Sequence, residues 1–575
     1  MAGKYGSDVV ADLIGAYGFE FAAINPGASW RGLHDSLVNH ADPPPELMIC
    51  TNEKIAVNVA HGYAKVTGKP GLAIIHNVVG LMQGTMGIYT AYIDQAPVLV
   101  LGGTGPVAVG DRRPHIEWIH TAFSQGDLVR NYVKWDDQPA DAVGVVDGFA
   151  RGFQRATTQP QGPVYLCYDL GYQEALLEDE PELVVHEPSR HDFPIDDTVA
   201  EELAEVLVTA ERPAFVAGRV GRTSEGSRAL VELAEQIGAL VYDLNWRFNL
   251  PNTHALARMD RSAVEGADVV LGLDVAELYG AITGSGTRPG SDRRWLPAAD
   301  ATLAEIRLDT LEGSGWLPKF QRYQAVDWSV LADTRLALPK LLDAVRRKQT
   351  SEQRERAKAR IDEARTRQEE LRSGWRDAAR KDWDVSPLST ARLAWELGEA
   401  IDGEDWVLTA NTLSGWTRKL WDFDEWSRHP GRSLGTATQI GISMGVARAY
   451  KGTHKLVVNV QPDGDLLFDP GTMWTIAANE LPMLIVMYNN RAYYNDWEHQ
   501  LKVARDRGRD ESRANIGMDL DEPAPDFAAM ARSFGIDAFG PIDHPDELRT
   551  TLDEAIALIK ETRRPVLVDV ITQHR

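Results

Sequence analysis

Two oxygen-bearing side chains 27 positions apart, Asp463 and Asn490, are where the sequence concentrates its chemistry. Each follows an apolar, β-rich run, Leu456 to Val460 before the first and Met483 to Tyr488 before the second, and such runs read as buried strands. Between them lie a tight polar turn, Pro462-Asp463-Gly464-Asp465, and a segment with helical apolar spacing at Met473, Ile476 and Ala477, stopped at Leu481-Pro482. The pattern is βαβ, and open parallel sheets bind ligands beyond the carboxyl ends of their strands. A carboxylate, an amide oxygen and nearby carbonyls suit Mg²⁺, which takes oxygen ligands and keeps places for phosphate. The helix after Asp465 aims free N–H groups at the same place. Singly, an Asp-Gly turn and an Asn-Asn turn are ordinary loop chemistry. At this spacing and with this βαβ between them, they favour a metal–diphosphate site.

Residues 455–495 as a whole resemble the thiamine diphosphate (ThDP) motif of the acetolactate synthase, pyruvate decarboxylase and benzoylformate decarboxylase superfamily, Gly-Asp-Gly followed across a βαβ unit by Asn-Asn. Pro462 replaces the first glycine and Ala492 stands where many members have glycine, while the ligand-bearing positions are kept. The resemblance implies Mg²⁺ held by Asp463, Asn490 and the Ala492 carbonyl, with Gly464 and Asp465 against the cofactor. It also implies a role for Glu53, which opens a helix in NEKIAVNVAHGYAKVTGKPG, a segment similar to the family's glutamate, Ala-rich helix and Gly-Tyr-Ala. A glutamate in a first helical turn is favourable in any helix. In the family it hydrogen-bonds a pyrimidine nitrogen of ThDP and so promotes loss of the thiazolium proton; buried there, it has a raised pKa.

Further residues enter through the same resemblance. Asn411 and Thr412, after the predicted strand Trp406-Val407-Leu408, are similar to the strand-loop that meets the diphosphate, and closest in wording to oxalyl-CoA decarboxylases and 2-hydroxyacyl-CoA lyases. LGTATQIGISMGVARA (434–449) resembles the family's Gly-rich loop and helix, which puts Thr438 and Gln439 beside the cofactor. Thr438 occupies the place of the bulky residue that usually wedges the cofactor into its bent shape, Met444 lies further along the helix, and the wedge stays unassigned.

His76, in AIIHNVVGLMQG, ends a predicted strand, where a histidine is commonly just a satisfied polar residue. Its position is similar to that of the active-site histidine of benzoylformate decarboxylases. His120, in WIHTAFSQGDLVRNYVKW, resembles the second histidine of pyruvate decarboxylase's His-His-Thr segment, with Ile119 in place of the first. Both are implied to face the reacting carbon, where a group with near-neutral pKa can move protons. Asp496, Glu498 and His499, in RAYYNDWEHQ, stand where family members place substrate-facing groups, although an acidic helix start would look the same. The charged segment 501–525 reads either as a lid or as a surface excursion.

Positioning these residues calls for an α/β chain with three doubly wound parallel-sheet domains. At about 150 residues per domain, 575 residues suggest three or four. Residues 1–185 show helices at 6–18 and 29–39 and strands at 19–24, 47–51, 71–76, 97–102 and 163–168 in alternation, the sign of a parallel sheet. After a polar linker at 186–197, residues 198–345 repeat the pattern with helices at 197–209 and 224–237 and strands at 213–217, 239–243 and 268–273. Residues 346–383 read as a solvated, salt-bridge-laced connecting helix, and 384–575 as a third α/β domain closing on strand 565–571. By the resemblance these are the pyrimidine-binding, central and diphosphate-binding domains; whether the central one holds FAD, ADP or nothing stays open.

A net charge of −24 with 43% apolar and 25% charged residues argues against nucleic acid or an anionic membrane as partner. Two cysteines, Cys50 and Cys167, in apolar contexts read as buried free thiols; no segment reads as membrane-spanning or as a signal peptide, so a cytoplasmic location is expected. The resemblance implies ThDP and Mg²⁺ as cofactors, a small-molecule substrate, and a homodimer or homotetramer with active sites at the subunit interface. The implied activity is a lyase or carboligase acting on a 2-oxo acid or 2-hydroxy ketone. A 2-hydroxyacyl-CoA lyase is the alternative favoured by Asn411-Thr412, though VDVITQHR ends soon after the last predicted strand, without the tail that covers CoA in oxalyl-CoA decarboxylase relatives. Acetolactate synthase is a further alternative, opposed by His76 and the altered 434–445 loop. A NAD- or nucleotide-binding protein lacks its expected G-x-G-x-x-G or P-loop.

Overall fold

The computed structural model describes residues 3–185, 192–284, 293–308, 322–410, 413, 415–431 and 435–574. Three sheets follow one another along the chain, and every strand pair within them is parallel. The first contains β1 (Phe21–Ile24), β2 (Glu46–Ile49), β3 (Gly71–Ile75), β4 (Val98–Thr104), β5 (Trp135–Asp137) and β6 (Val164–Asp169), in the order β2-β1-β3-β4-β6-β5. Runs such as FAAI, GLAII and VLVLGGT are buried throughout, as strands covered on both faces require. Because β1 has β2 on one side and β3 on the other, the direction of winding reverses between β1 and β3. The crevice beyond their carboxyl ends is where such a sheet receives ligands.

The second sheet holds β7 (Pro213–Ala217), β8 (Leu240–Asp243), β9 (Ala257–Arg258), β10 (Val269–Leu273), β11 (Thr302–Arg307) and β12 (Trp328–Leu331), ordered β12-β11-β10-β7-β8-β9. The third holds β13 (Trp406–Ala410), β14 (Leu456–Pro462), β15 (Met483–Asn489), β16 (Asp537–Ile542) and β17 (Val566–Ile571), ordered β13-β14-β15-β17-β16. Its register sets Pro462 beside Tyr488, so the residues after β14 and β15 leave the sheet side by side.

By packing, the chain forms two compact units, residues 1–188, 382–414 and 433–575 in one and residues 189–381 and 415–432 in the other. In the first unit the helices Glu53–Thr67 and Thr438–Ala449 cross so closely that Gly62 and Gly445 lie against the opposing backbone, with no room for a side chain. Apolar residues from both sheets fuse there into one core that includes Met48, Ile55, Val59, Ile440, Met444 and Ile485.

Three readings of the sequence change. The polar turn expected at 462–465 is instead the last residue of β14 followed by a helical turn, Asp463–Leu466; proline is tolerated at a strand terminus, where no ladder N–H is needed. The charged stretch expected to be a solvated connector is the helix Ser351–Ala379, with Ala357, Ala364 and Gln368 buried in the second unit. Gln368 donates to the Asn252 carbonyl at 2.9 Å, and Arg258 donates to Gln368 and to the Ala364 carbonyl. Residues 415–432, expected within the third domain, pack in the second unit, where Asn252 donates to the Arg418 and Trp421 carbonyls and Trp426 to the Gly221 carbonyl. At the reversal point between β7 and β10, where FAD or ADP would be sought, Asn249 bonds to the Ala217 and Gly218 carbonyls and accepts from the Gly221 N–H.

Candidate functional site

Asp463, Asn490 and Ala492 converge at the ends of β14 and β15. The Ala492 N–H lies 3.1 Å from Asn490 Oδ1 and 3.3 Å from Asp463 Oδ2, and the Gly464 N–H donates to Asp463 Oδ1 at 2.8 Å. Asp463 is 2% exposed, and burial pushes its carboxyl up to about 6 against the pull of the Gly464, Ala492 and Arg491 N–H groups. A buried carboxylate, an amide oxygen and a turn carbonyl fit a magnesium ion, and a cation there would reverse the effect of burial. Among the described residues no group of three or more His, Cys, Asp or Glu forms a metal cluster; the expected set uses only one carboxylate. At Gly464 a side chain would meet the Tyr493 ring at 2.6 Å, so the turn can close only with glycine there. The strand-like bridge from Ala492 to Asp519, with Tyr493 N–H donating to the Met518 carbonyl and Leu520 N–H to the Arg491 carbonyl, shows where part of the 501–525 segment goes: it straps this loop.

Asp465 works one step away. It accepts from the Ala437 N–H and from Gln461, both at 2.8 Å, and so fastens the loop that begins the helix Thr438–Ala449. In that loop Thr436 and Ala437 both adopt left-handed backbone angles, φ +66° and +61°, a conformation that costs non-glycine residues about 1–3 kcal/mol and marks a site held by its surroundings. Thr438 and Gln439 are buried at the helix start, Thr438 bonded to the Gly435 carbonyl at 3.0 Å. Met444 lies in the shared core. Asn411 and Thr412 fall outside the described residues.

Glu53 begins the helix Glu53–Thr67, capped by Asn52, whose side chain accepts from the Ile55 N–H at 3.1 Å. The cap also reaches across the unit: Asn52 donates to Asp469 at 2.6 Å, while Lys54 pairs with Asp469 and donates to the Thr436 carbonyl at 3.0 Å. The helix head is thus stitched to the loops that follow β14 and precede the helix Thr438–Ala449. Glu53 itself is 7% exposed, and burial raises its pKa against N–H groups of its own backbone and His76. A methyl group at Gly80 would sit 2.5 Å from Glu53 Oε1, so glycine in the helix Val78–Ile93 makes the carboxyl's seat.

His76 and His120 come together, ring centroids 5.7 Å apart. His76 Nδ1 is 2.8 Å from Ser29 Oγ in the loop after β1, and His120 Nδ1 is 3.2 Å from the Ile116 carbonyl. This leaves Nε2 of each ring as the chemically available nitrogen. Burial, then the neighbouring His120, lowers the pKa of His76. Asp496, Glu498 and His499 are exposed on the helix Tyr494–Asp506, Asp496 in its first turn, where an acid favours the dipole.

Four site residues escaped the sequence reading. Ser29 orients His76, Gly80 seats Glu53, Lys54 ties the helix head to Asp469, and Gln461 relays β14 to Asp465. Ser29 lies just after Asn25-Pro26-Gly27, a turn-forming stretch, and Lys54 beside a named candidate, but spacing alone does not distinguish them from surface residues.

Comparison with known proteins finds matches over the regions that contain both halves of this geometry. The family description "Thiamine pyrophosphate enzyme, N-terminal TPP binding domain" matches residues 4–126 and "Thiamine pyrophosphate enzyme, C-terminal TPP binding domain" residues 412–570. The chain is 23% identical to a probable acetolactate synthase large subunit of Methanocaldococcus jannaschii, over 98% of this chain and 91% of that one. It is 25% identical to benzoylformate decarboxylase of Pseudomonas aeruginosa, over 91% of each. Benzoylformate decarboxylase from Polynucleobacter necessarius shares the fold, with a TM-score of 0.78 at 18% identity over 100% of this chain and 99% of that one. With Glu53 and its seat inside the first matched region and the Asp463–Asn490 loop inside the second, the chain belongs to the thiamine pyrophosphate-dependent enzymes of the acetolactate synthase and decarboxylase superfamily.

Proposed function

We propose that this enzyme is a ThDP- and Mg²⁺-dependent carbon–carbon lyase or carboligase acting on a 2-oxo acid or 2-hydroxy ketone. The observation that supports it most is the stitching of the Glu53 helix head to the diphosphate-side loops through Asn52, Lys54, Thr436 and Asp469. Asp463, Asn490 and the Ala492 carbonyl would hold the metal, and the start of the helix Thr438–Ala449 would face the diphosphate. When bound, the cofactor supplies an electron sink for the carbanion left by bond cleavage. Glu53, its proton affinity raised by burial, holds and shares a proton at its carboxyl oxygen. His76, kept neutral by burial and by His120, takes or returns a proton at Nε2 with its other nitrogen fixed by Ser29. The strap at 518–520 fixes the metal loop through the Tyr493 N–H and the Arg491 carbonyl.

The test is turnover of a 2-oxo acid panel by the purified protein loaded with ThDP and Mg²⁺. Turnover should stop on removal of metal and cofactor and fall by about 100-fold or more in Glu53→Gln, the scale of a lost proton-transfer group. Metal-independent turnover, or full activity in the variant, overturns the reading. Asn411-Thr412 keeps a 2-hydroxyacyl-CoA lyase as the second reading, which an acyl-CoA arm of the same panel decides.

The partner is proposed to be a second copy of this chain, as a homodimer or homotetramer. The supporting observation is a run of exposed apolar side chains between β4 and β5, Val109 at 76%, Trp118 at 78% and Phe123 at 98% exposure, on the segment that carries His120; large apolar patches mark interaction sites. A cytoplasmic location is proposed from the two buried free thiols. Among the described residues no helix is long and apolar enough to cross a membrane.

A further inference from the structure

The helix Tyr494–Asp506 leaves the metal loop with little packing of its own: of its 13 residues only Ala504 is buried. Helices in proteins owe most of their stability to packing against the rest of the fold, so the direction of this one has to be set near its first turn. Three rings meet there. His574 stacks on Tyr494 with centroids 4.7 Å apart and planes inclined by 8°, and it meets Trp497 edge-on, also at 4.7 Å. Tyr494 and Trp497, three positions apart and so neighbours on the helix surface, touch each other at 5.4 Å.

His574 is brought there by the residues that follow β17. The Thr572 N–H donates to the Asn489 carbonyl at 2.9 Å, and the Gln573 N–H to the Leu388 carbonyl at 2.8 Å. Asn489 in turn donates from its side chain to Asp569 Oδ1 at 3.0 Å. Thr572 and Asn489 are both buried. The chain around the metal loop is therefore held at four points. Asn489 and Tyr494 are tied to residues 572–574, while Arg491 and Tyr493 are tied to the strap at 518–520. Asn490 and Ala492, the expected ligands, lie between these holds.

We infer that His574 is a positioning residue for the metal loop: its stack on Tyr494 and Trp497 fixes the exit of the helix Tyr494–Asp506, and with it the Asn490–Ala492 turn that would ligate magnesium. The inference rests on the reading of Asp463, Asn490 and Ala492 as the metal site. Aromatic pairs prefer stacked and edge-to-face arrangements and contribute beyond the area they bury; His574 makes one contact of each kind. A loop that keeps its binding shape for only part of the time binds more weakly in proportion to that fraction. Loss of both ring contacts should therefore weaken magnesium binding about fivefold or more.

The experiment compares the full-length wild type with His574→Ala and His574→Phe. Calorimetric titration with Mg²⁺ at saturating ThDP reads the metal Kd, and hydrogen exchange of a peptide spanning 489–498, without metal or cofactor, reads the order of the loop. His574→Ala should raise the Kd about fivefold or more and speed exchange across 490–494. Exchange in the helix Glu53–Thr67, and kcat at saturating Mg²⁺, should stay at the wild-type level. His574→Phe keeps a flat ring for the stack and should restore both the Kd and the exchange. Faster exchange in both regions with a lower kcat would mean a general loss of packing and overturns the assignment. So does an unchanged Kd in His574→Ala, or a phenylalanine variant no better than the alanine one. Should the wild type bind no Mg²⁺ while exchange across 490–494 still follows the ring at 574, the hold on the loop stands and the metal reading falls. Magnesium binding indifferent to residue 574 does the reverse.

Discussion

Burial moves Glu53 and His76 in opposite directions, and each leaves a pH signature on stability. The folded pKa of Glu53 lies above its ordinary 4.5, so its contribution to stability is present below 4.5 and is lost as pH rises through the folded value. In cofactor-free protein, Glu53→Gln should therefore gain melting temperature over the wild type, with a gap that widens as pH rises from 4.5; a gap independent of pH counts against the raised pKa. His76 has a folded pKa below its ordinary 6.5, so its contribution is present above 6.5 and is lost as pH falls through the folded value. His76→Asn should flatten the acid side of the same curve. At Gly80 a single methyl group decides the position of a carboxyl: Gly80→Ala, with its Cβ 2.5 Å from Glu53 Oε1, should lower ThDP-dependent turnover about tenfold or more, since small misplacements of a catalytic group have effects of that size.

The helices Glu53–Thr67 and Thr438–Ala449 carry the site between them. One begins at Glu53 and the other follows the loop tied to Asp465, and their crossing at Gly62 and Gly445 sets the distance between those two ends. Gly445→Val should cost about 1–3 kcal/mol or more by overpacking, read as a lower urea midpoint, and should weaken ThDP binding with it. Asn52→Ala removes both the helix cap and the bond to Asp469; the cap alone is worth about 1 kcal/mol. If ThDP affinity in that variant stays at the wild-type level despite the stability loss, the helix head does not position the cofactor.

Across the whole molecule, the exposed side chains Val109, Trp118 and Phe123 present an apolar surface on a protein of net charge −24. Phe123→Asp should shift sedimentation toward the monomer and reduce activity per chain, because the same segment carries His120. A monomeric, fully active wild type would refute the proposed assembly. Cys50 and Cys167 are buried, and burial pushes both thiols up, Cys167 to about 12; a thiol reagent should label neither until denaturant is added, as thiolate is the reactive form.

The local chemistry of this protein was readable in its amino acids. The apolar runs of β14 and β15, the Asp463 and Asn490 that follow them, and Glu53 after its capping Asn52 are signals that need no partner to be seen, because burial on both faces and helix capping act over a few neighbouring residues. Four of the six edge strands were not readable: β5 and β9 are very short, and β12 and β16 are mostly exposed or half-buried, so no apolar run announces them. Nor was the docking of Ser351–Ala379 against the helix Ser224–Ile237, since its buried row is only small or polar residues among many charges. The partners of the site lie furthest from view. Ser29 against His76, Gly80 against Glu53, Lys54 against Asp469 and His120 against His76 are contacts between segments that are brought together only when β1, β3 and β4 align and two helices cross at glycine. Sequence names the groups able to do chemistry, and the packing of distant segments chooses which of them meet.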